Sequence, residues 1–100
     1  MRLSEEEKES IISAAVEAFD GPTAVYLFGS KADDTRKGGD IDLLVLSDTI
    51  PDRSKIRIFK ILLEEKLGER RIDVVSAAFD SEDTFVTLIK QEGIMLWEKK

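Results

Sequence analysis

The apolar run Ile41-Asp42-Leu43-Leu44-Val45-Leu46 restricts the fold of this 100-residue chain more than any other segment. A short, continuous run of apolar residues predicts a strand that is buried in a sheet. A charged side chain in such a strand is unfavourable unless an interaction offsets its desolvation. The segment therefore predicts a covered sheet, and it requires an explanation for Asp42.

Helix and strand patterns alternate along the rest of the chain. Ser4 with Glu7 forms a capping-box pattern, which predicts a helix over residues 5–19. The other predicted elements are strands at 24–28, 41–46, 71–77 and 94–97, a helix capped by Asp52 or Ser54 that ends before Gly68, and a helix capped by Ser81 that runs to Gln91. The helices would bury Ile12, Ala15, Val16 and Phe19; Ile56, Phe59, Leu62, Leu63 and Leu67; and Phe85, Leu88 and Ile89.

This order, αβ(loop)βαβαβ, predicts a single small α/β or α+β domain over residues 1–100 with one sheet. The first two strands are joined by a connection that is short for a parallel crossover, whereas a full helix joins the second strand to the third. We therefore expect a mixed sheet that is flanked by helices.

The composition excludes several kinds of site. The chain has no cysteine and no histidine, so thiolate or imidazole metal sites and catalytic dyads of these residues are excluded. The net charge of −6 argues against an extensive nucleic-acid surface. No apolar run approaches the ~18 residues of a membrane span, and the N-terminus is charged, so we expect a soluble cytoplasmic protein.

Three aspartates form a candidate metal site. Asp40 and Asp42 are two positions apart, so on a strand both side chains lie on one face, with alpha carbons roughly 6.6 Å apart. If the second and third predicted strands are parallel neighbours, Asp73 lies about one strand spacing away at the same edge. Mg²⁺ prefers a few carboxylates together with substrate phosphate oxygens. The three residues therefore predict a Mg²⁺ site for phosphoryl or nucleotidyl transfer.

A candidate phosphate site directly follows the first strand. Gly29 permits close backbone approach, and Ser30 offers a hydroxyl to phosphate oxygens. Lys31, with Arg36 and Lys37, could neutralise a triphosphate, although these residues are also compatible with solvated loop charges. Gly29-Ser30 alone could equally be a turn, and Asp40 alone could be a turn residue after Gly38-Gly39.

The two motifs together resemble a known family. Leu27-Phe28-Gly29-Ser30, nine residues and then Asp40-Ile41-Asp42-Leu43 are similar to the Gly-Ser and Asp-x-Asp motifs of the DNA polymerase beta nucleotidyltransferase superfamily. The size of the chain, the lone aspartate in Arg-Ile-Asp-Val-Val and the ending Glu-Gly-Ile-Met-Leu-Trp-Glu resemble its minimal nucleotidyltransferase members. The sequence departs from the pattern after Ser30, where Lys31 replaces the usual arginine and Asp33-Asp34 follows.

The resemblance implies a fold, a reaction and a partner. Asp40 and Asp42 would ligate two Mg²⁺ ions, and Asp73 would help to ligate one of them and activate an acceptor hydroxyl. Gly29, Ser30 and Lys31 would bind ATP or another nucleoside triphosphate. The expected reaction transfers AMP to a small helical HEPN-domain toxin that pairs with an antitoxin of this family. The acceptor surface would come from that partner or from a homo-oligomer.

Two other functions remain compatible with the residues. One is a non-catalytic module of the same fold that neutralises its partner by masking it. The other is transfer to a small molecule or to RNA, because a carboxylate site specifies the reaction and not the acceptor.

Overall fold

The chain forms three helices and four strands within the part that the structure describes. The structure is a computed structural model in which residues 3–29, 41–48, 53–68 and 71–100 are described. In chain order the elements are α1 (Glu5–Ala18), β1 (Thr23–Phe28), β2 (Ile41–Ser47), α2 (Arg53–Leu67), β3 (Ile72–Ala78), α3 (Thr84–Glu92) and β4 (Ile94–Lys99). Their types and order confirm the prediction, and their boundaries differ from it by only a few residues.

The N-terminus of α1 is closed by the predicted capping box. The Glu7 backbone N–H donates to Ser4 Oγ at 3.1 Å, and the Ser4 N–H donates to Glu7 Oε1 at 2.9 Å. These bonds satisfy donors that have no partner within the helix, a stabilisation of about 1 kcal/mol. Three glutamates in the first turn add a favourable interaction with the helix dipole.

The buried face of α1 differs from the predicted one. Its buried residues are Ile11, Ala14, Ala15 and Ala18. Val16 was predicted to be inward but is 58% exposed, whereas Phe19 is buried as predicted, just beyond the end of the helix. Small alanines allow the helix to approach its neighbours closely, so the packed face follows the alanines instead of the larger apolar residues.

The four strands form one mixed sheet in the order β3-β2-β1-β4. The β1–β2 and β1–β4 pairs are antiparallel, and the β2–β3 pair is parallel. The parallel pair is the one that α2 connects, as a crossover connection requires. The predicted mixed sheet is therefore confirmed.

The sheet separates two apolar clusters. In β2, Ile41, Leu43 and Val45 belong to the cluster that includes buried residues of α1 and α2. The alternate residues Leu44 and Leu46 belong to the cluster that includes residues of α3. Because β2 is covered on both faces, its sequence is almost continuously apolar. Asp42 shares its face with Leu44 and Leu46, since strand side chains alternate.

The shortest of the three described helices, α3, begins later and presents a different face than predicted. Its N-cap is Asp83, whose side chain accepts hydrogen bonds from Phe85 and Val86 backbone N–H groups, and not Ser81. The Ser81 hydroxyl instead accepts from the Asp83 N–H at 3.3 Å. Val86 and Ile89 are the buried residues, whereas Phe85 and Leu88, predicted to point inward, are 47% and 48% exposed.

An exposed ion pair joins the segment between α1 and β1 to α2. Lys55 Nζ lies 2.6 Å from Asp20 Oδ1, and Lys99 Nζ of β4 donates to the Asp20 carbonyl oxygen at 2.9 Å. The Lys55 hydrogen bond and charge lower the pKa of Asp20 below its ordinary value of 3.8.

This lowered pKa predicts a pH-dependent effect of Asp20→Asn. A carboxylate with a depressed folded pKa stabilises the fold above its unfolded pKa and loses that contribution as pH falls through the folded pKa. The variant should therefore have a slightly lower Tm at pH 7, and the two proteins should converge below about pH 3.8. Both partners are substantially exposed, so the decrease should be small and should shrink in 1 M salt. Asp80→Asn, at an exposed turn, is the control, and a pH-independent difference would contradict the assignment.

No helix among the described residues is long and apolar enough to cross a membrane.

Candidate active site

Asp42 and Asp73 lie side by side in the sheet. They are direct register partners in the parallel β2–β3 pair, in which neighbouring strands are about 4.8 Å apart. Each is the second residue of its strand, so the two carboxylates lie at the end of the sheet where β2 and β3 begin. Both residues are half-buried. The strand pairing that the sequence predicted for these aspartates is therefore present.

Gly29 lies directly against the Asp42 carboxylate. It follows β1, whose last residue, Phe28, pairs with Asp42 across the β1–β2 ladder. Its φ is +78°, in the left-handed region that favours glycine. A Cβ at Gly29 would lie 3.2 Å from Asp42 Cγ and would overlap Asp42 Oδ2. The glycine therefore brings a stretch of backbone next to the carboxylate that any side chain would block.

The remaining site residues predicted from the sequence lie outside the described residues. These are Ser30, Lys31 and Asp40, together with Arg36 and Lys37. Within the described ranges, no group of three or more carboxylate, imidazole or thiolate side chains could hold a metal ion. The described part of the site is thus a pair of carboxylates, Asp42 and Asp73, beside Gly29.

The donor chemistry of this pair suits a divalent cation. Two like charges at neighbouring register positions repel each other, and a hard cation between carboxylate oxygens relieves that repulsion. Gly29 leaves space at the Asp42 carboxylate that a Cβ would fill. A site with few protein oxygens is also what Mg²⁺ uses when phosphate oxygens complete its coordination.

Arg71 is a neighbour of the site that the sequence analysis missed. Its Nε lies 3.7 Å from Asp73 Oδ2, and its side chain is 74% exposed, whereas that of Asp73 is 48% exposed. The Ile41 N–H donates to the Arg71 carbonyl oxygen at 2.9 Å, which joins the start of β3 to the start of β2. An exposed pair of this kind contributes little to stability, at most about 1 kcal/mol. A cation two residues before Asp73 was the signal available in the sequence.

A cavity of about 350 Å³ adjoins Gly29. Its lining residues are Phe28, Gly29, Phe85, Leu88, Ile89, Glu92 and Gly93. It lies between the end of β1 and α3, on the face of the sheet that carries Asp42. A Cβ at Gly93 would come within 2.7 Å of the Ile89 carbonyl oxygen and 2.9 Å of the Leu27 carbonyl oxygen, so this glycine permits the close approach of α3 to β1.

Comparison with known proteins gives one family match that spans most of the chain. Residues 9–100 match the family model described as Polymerase beta, Nucleotidyltransferase. No curated protein matches the chain significantly.

Several solved structures share the fold. A toxin–antitoxin structure with AMP-PNP has 24% identity and a TM-score of 0.72, over 93% of this chain and 74% of that one. An MntA-HepT toxin–antitoxin structure has 22% identity and a TM-score of 0.69, over 96% and 74%. A complex from Shewanella oneidensis, a tri-AMPylated HEPN toxin with an MNT antitoxin, has 23% identity and a TM-score of 0.67, over 93% and 71%. At these identities the likeness shows the fold.

Proposed function

The chain belongs to the polymerase beta nucleotidyltransferase family, and from this premise we propose that it is a Mg²⁺-dependent enzyme that transfers AMP from ATP to a hydroxyl group. The observation that carries the proposal is the register pairing of Asp42 with Asp73, with Gly29 against the Asp42 carboxylate. This arrangement places two carboxylates and an accessible backbone turn at one edge of the sheet. In this proposal residues 1–100 act as one nucleotidyltransferase domain.

Each site residue has a distinct role in the proposed reaction. Asp40, Asp42 and Asp73 hold two Mg²⁺ ions, which, when bound, stabilise the charge on the attacking and leaving oxygens. Gly29, Ser30 and Lys31 bind the β- and γ-phosphates, through backbone N–H groups, a hydroxyl and a positive charge. Asp73, at the edge strand of the sheet, faces the acceptor.

The proposed reaction is a displacement at the α-phosphorus. The acceptor oxygen forms a bond to the α-phosphorus, and the bond from that phosphorus to the bridging oxygen breaks, so pyrophosphate leaves. The acceptor proton passes to the Asp73 carboxylate, which acts as the general base. AMP is thereby joined to the acceptor oxygen, and the transfer needs no redox partner.

The acceptor in this proposal is a hydroxyl on a HEPN-domain toxin. Support comes from structures of the same fold that are complexes of an antitoxin with a toxin, one of them an AMPylated HEPN toxin. The chain described here spans about three quarters of those antitoxin-like chains. ATP and Mg²⁺ are abundant in the cytoplasm, where we place the reaction.

A mass measurement tests the proposal. The protein is mixed with Mg²⁺, ATP and a purified HEPN-domain toxin, and the toxin should gain about 329 Da for each AMP transferred. Omitting Mg²⁺ tests metal dependence, and replacing ATP with α,β-methylene-ATP, in which a P–C–P link replaces the α–β bridge that the reaction breaks, allows nucleotide binding without AMP transfer. An unmodified partner in complete reaction mixtures, with toxicity still neutralised, would contradict the enzymatic proposal.

The second candidate function is neutralisation by masking. Asp33 and Asp34 follow Lys31, and acidic side chains at that position would oppose a triphosphate if they faced it. In that case the chain would neutralise its partner stoichiometrically and without a nucleotide. The two functions separate cleanly, because masking needs one antitoxin per toxin, whereas catalysis neutralises an excess of toxin.

A further inference from the structure

The strand that carries Asp73 lies at an open side of the sheet. The strand order is β3-β2-β1-β4, so β3 pairs with β2 on one side, and no described strand pairs with its other side. We call the unpaired backbone from Ile72 to Ser76 the β3 edge. An unpaired edge presents backbone N–H and C=O groups to which a further extended segment can bind.

The backbone hydrogen bonds to β2 identify the groups that point away from the sheet. The Arg71 carbonyl oxygen accepts from the Ile41 N–H at 2.9 Å, and the Phe79 N–H donates to the Ser47 carbonyl oxygen at 2.8 Å. Because the direction of these groups alternates along a strand, the odd-numbered residues of β3 bond to β2. The groups that point outward therefore belong to the even-numbered residues Ile72, Val74 and Ser76.

The β3 edge lacks the features that usually protect a strand edge, which are charges, prolines and bulges. The β4 strand, at the opposite side of the sheet, has an irregular register beside Val25 and Tyr26 and carries Glu98 and Lys99. The β3 segment Val-Val-Ser-Ala-Ala that follows Asp73 has no charge and no proline, and its register with β2 is unbroken. The β3 edge is therefore suited to receive an added strand.

Asp73 is the position at which an added strand would meet the reaction. Its backbone bonds to β2, so in an antiparallel added strand it would stand opposite a residue to which it makes no backbone hydrogen bond. Such pairs bring side chains closest, with Cα atoms about 4.5 Å apart. The Asp73 side chain is 48% exposed and accessible to that residue. A hydroxyl there can donate directly to the Asp73 carboxylate.

The β3 edge also lies on the side of the site from which the acceptor has to approach. The strand order places Asp73 on one side of Asp42 and β1, with Gly29 at its end, on the other. In the proposed reaction the triphosphate is bound at Gly29, so pyrophosphate leaves on the β1 side. The attacking and leaving oxygens are in line at phosphorus, so the acceptor oxygen arrives from the β3 side.

We propose that the β3 edge binds an extended segment of the acceptor protein as an added antiparallel strand, with the acceptor hydroxyl on the residue opposite Asp73. The inference rests on the proposed nucleotidyltransferase function and names the form in which the acceptor is recognised. Backbone groups bind the segment, and one side chain supplies the hydroxyl. A hydroxyl in the interior of a helix does not fit, because the backbone groups there are already paired within the helix.

Ser76→Pro tests the proposal, with Ser76→Ala as the matched control. Proline lacks the N–H that points away from β2, so it removes a bond to the added strand and leaves the β2–β3 ladder intact. For AMP transfer to the purified HEPN-domain toxin, kcat/KM should fall about tenfold through a higher KM for the toxin. The Mg-ATP shift in Tm should be unchanged. Alanine removes only the hydroxyl, so equal transfer by the two variants would overturn the inference.

Hydrogen exchange gives a second measurement that needs no variant. In the free protein the Val74 and Ser76 N–H groups should exchange rapidly, whereas those of Val75 and Ala77 are protected by the bonds to β2. In the complex with the toxin and α,β-methylene-ATP, exchange at Val74 and Ser76 should slow about tenfold or more. Unchanged exchange at these two amides would overturn the inference. Protection that instead grows with protein concentration in the absence of toxin would assign the edge to a second copy of this chain and also overturn it.

The outcomes separate this inference from the proposed function. If the toxin gains AMP but the two amides stay unprotected and Ser76→Pro retains the full rate, the function stands and the β3 edge is not the acceptor site. If the amides become protected but no AMP is transferred, binding at the edge stands and the enzymatic function fails. If the toxin neither gains AMP nor protects these amides, both proposals fail.

Discussion

Asp42→Asn is expected to reduce AMP transfer by at least about a thousandfold, because charge stabilisation by a bound metal is worth several kcal/mol in the transition state. Asparagine keeps the size of the side chain and removes its charge. It cannot pair with Asp73 as a second anionic ligand. The rate of mass gain on the partner at fixed enzyme concentration measures this loss.

The same variant should lose its response to ligand without losing its fold. At a concentration ten times its Kd, Mg-ATP stabilises the unaltered protein by about 1.4 kcal/mol. This raises the Tm by about 6 to 11 °C for a domain of this size. Asp42→Asn should show almost none of this shift. Its Tm without ligand should stay the same or rise, because Asp42 and Asp73 are adjacent like charges in the sheet.

Asp48→Asn is the matched control for this experiment. Asp48 directly follows β2 at the end opposite Asp42 and is exposed, so its replacement removes one carboxylate but leaves the site intact. The control should retain both transfer and the ligand-induced shift. A large fall in the Tm of ligand-free Asp42→Asn, with the shift preserved, would instead assign Asp42 a purely structural role.

The arrangement of Asp42 and Asp73 was predictable because it follows from topology. A helix between two strands predicts a parallel pair, and aspartates near the start of two parallel strands must reach the same sheet edge. The apolar run of β2 also specified a strand covered on both faces, and the structure places clusters on each side of it. These are consequences of chain connectivity and strand periodicity, which a sequence contains.

The face of α3 was not predictable in the same way. Phe85, Leu88 and Ile89 are all apolar and helically spaced, so they were assigned to the core, yet only Ile89 of the three is buried. Apolar residues that line a cavity have the same periodicity as those that fill a core. Whether such residues line a cavity or fill the core depends on where the helix lies over the sheet. That position depends on a tertiary contact, the close approach of α3 to β1 that Gly93 permits.

The role of Gly29 was only partly available from the sequence. Its position after β1 and before Ser30 indicated close backbone approach to a phosphate. The structure adds that Gly29 also has to accommodate the Asp42 carboxylate. The two residues are thirteen positions apart, and their contact arises from the antiparallel β1–β2 register, which local sequence does not specify.

Gly29→Ala should therefore damage both the fold and the site. A left-handed φ of +78° is unfavourable for alanine by about 1–2 kcal/mol, and the new Cβ would also overlap Asp42 Oδ2. We expect the Tm to fall by about 4 to 16 °C. The displaced carboxylate should also remove the Mg-ATP shift at temperatures where the variant is fully folded, which thermal unfolding and calorimetry measure separately.

Gly21→Ala is the matched control, because a Cβ there meets nothing within 4 Å and its φ is not positive. It should leave the Tm unchanged or raise it slightly by restricting the unfolded chain.

The clash itself is tested by the double variant Gly29→Ala with Asp42→Ala, which removes the carboxylate that the new methyl group would meet. If the contact is the cause, the double variant should be less destabilised than the sum of the two single variants, leaving mainly the contribution of the left-handed φ. Strict additivity would show that backbone conformation alone makes glycine necessary. In that case the Gly29→Ala variant should retain its Mg-ATP shift, because nothing would have moved the Asp42 carboxylate.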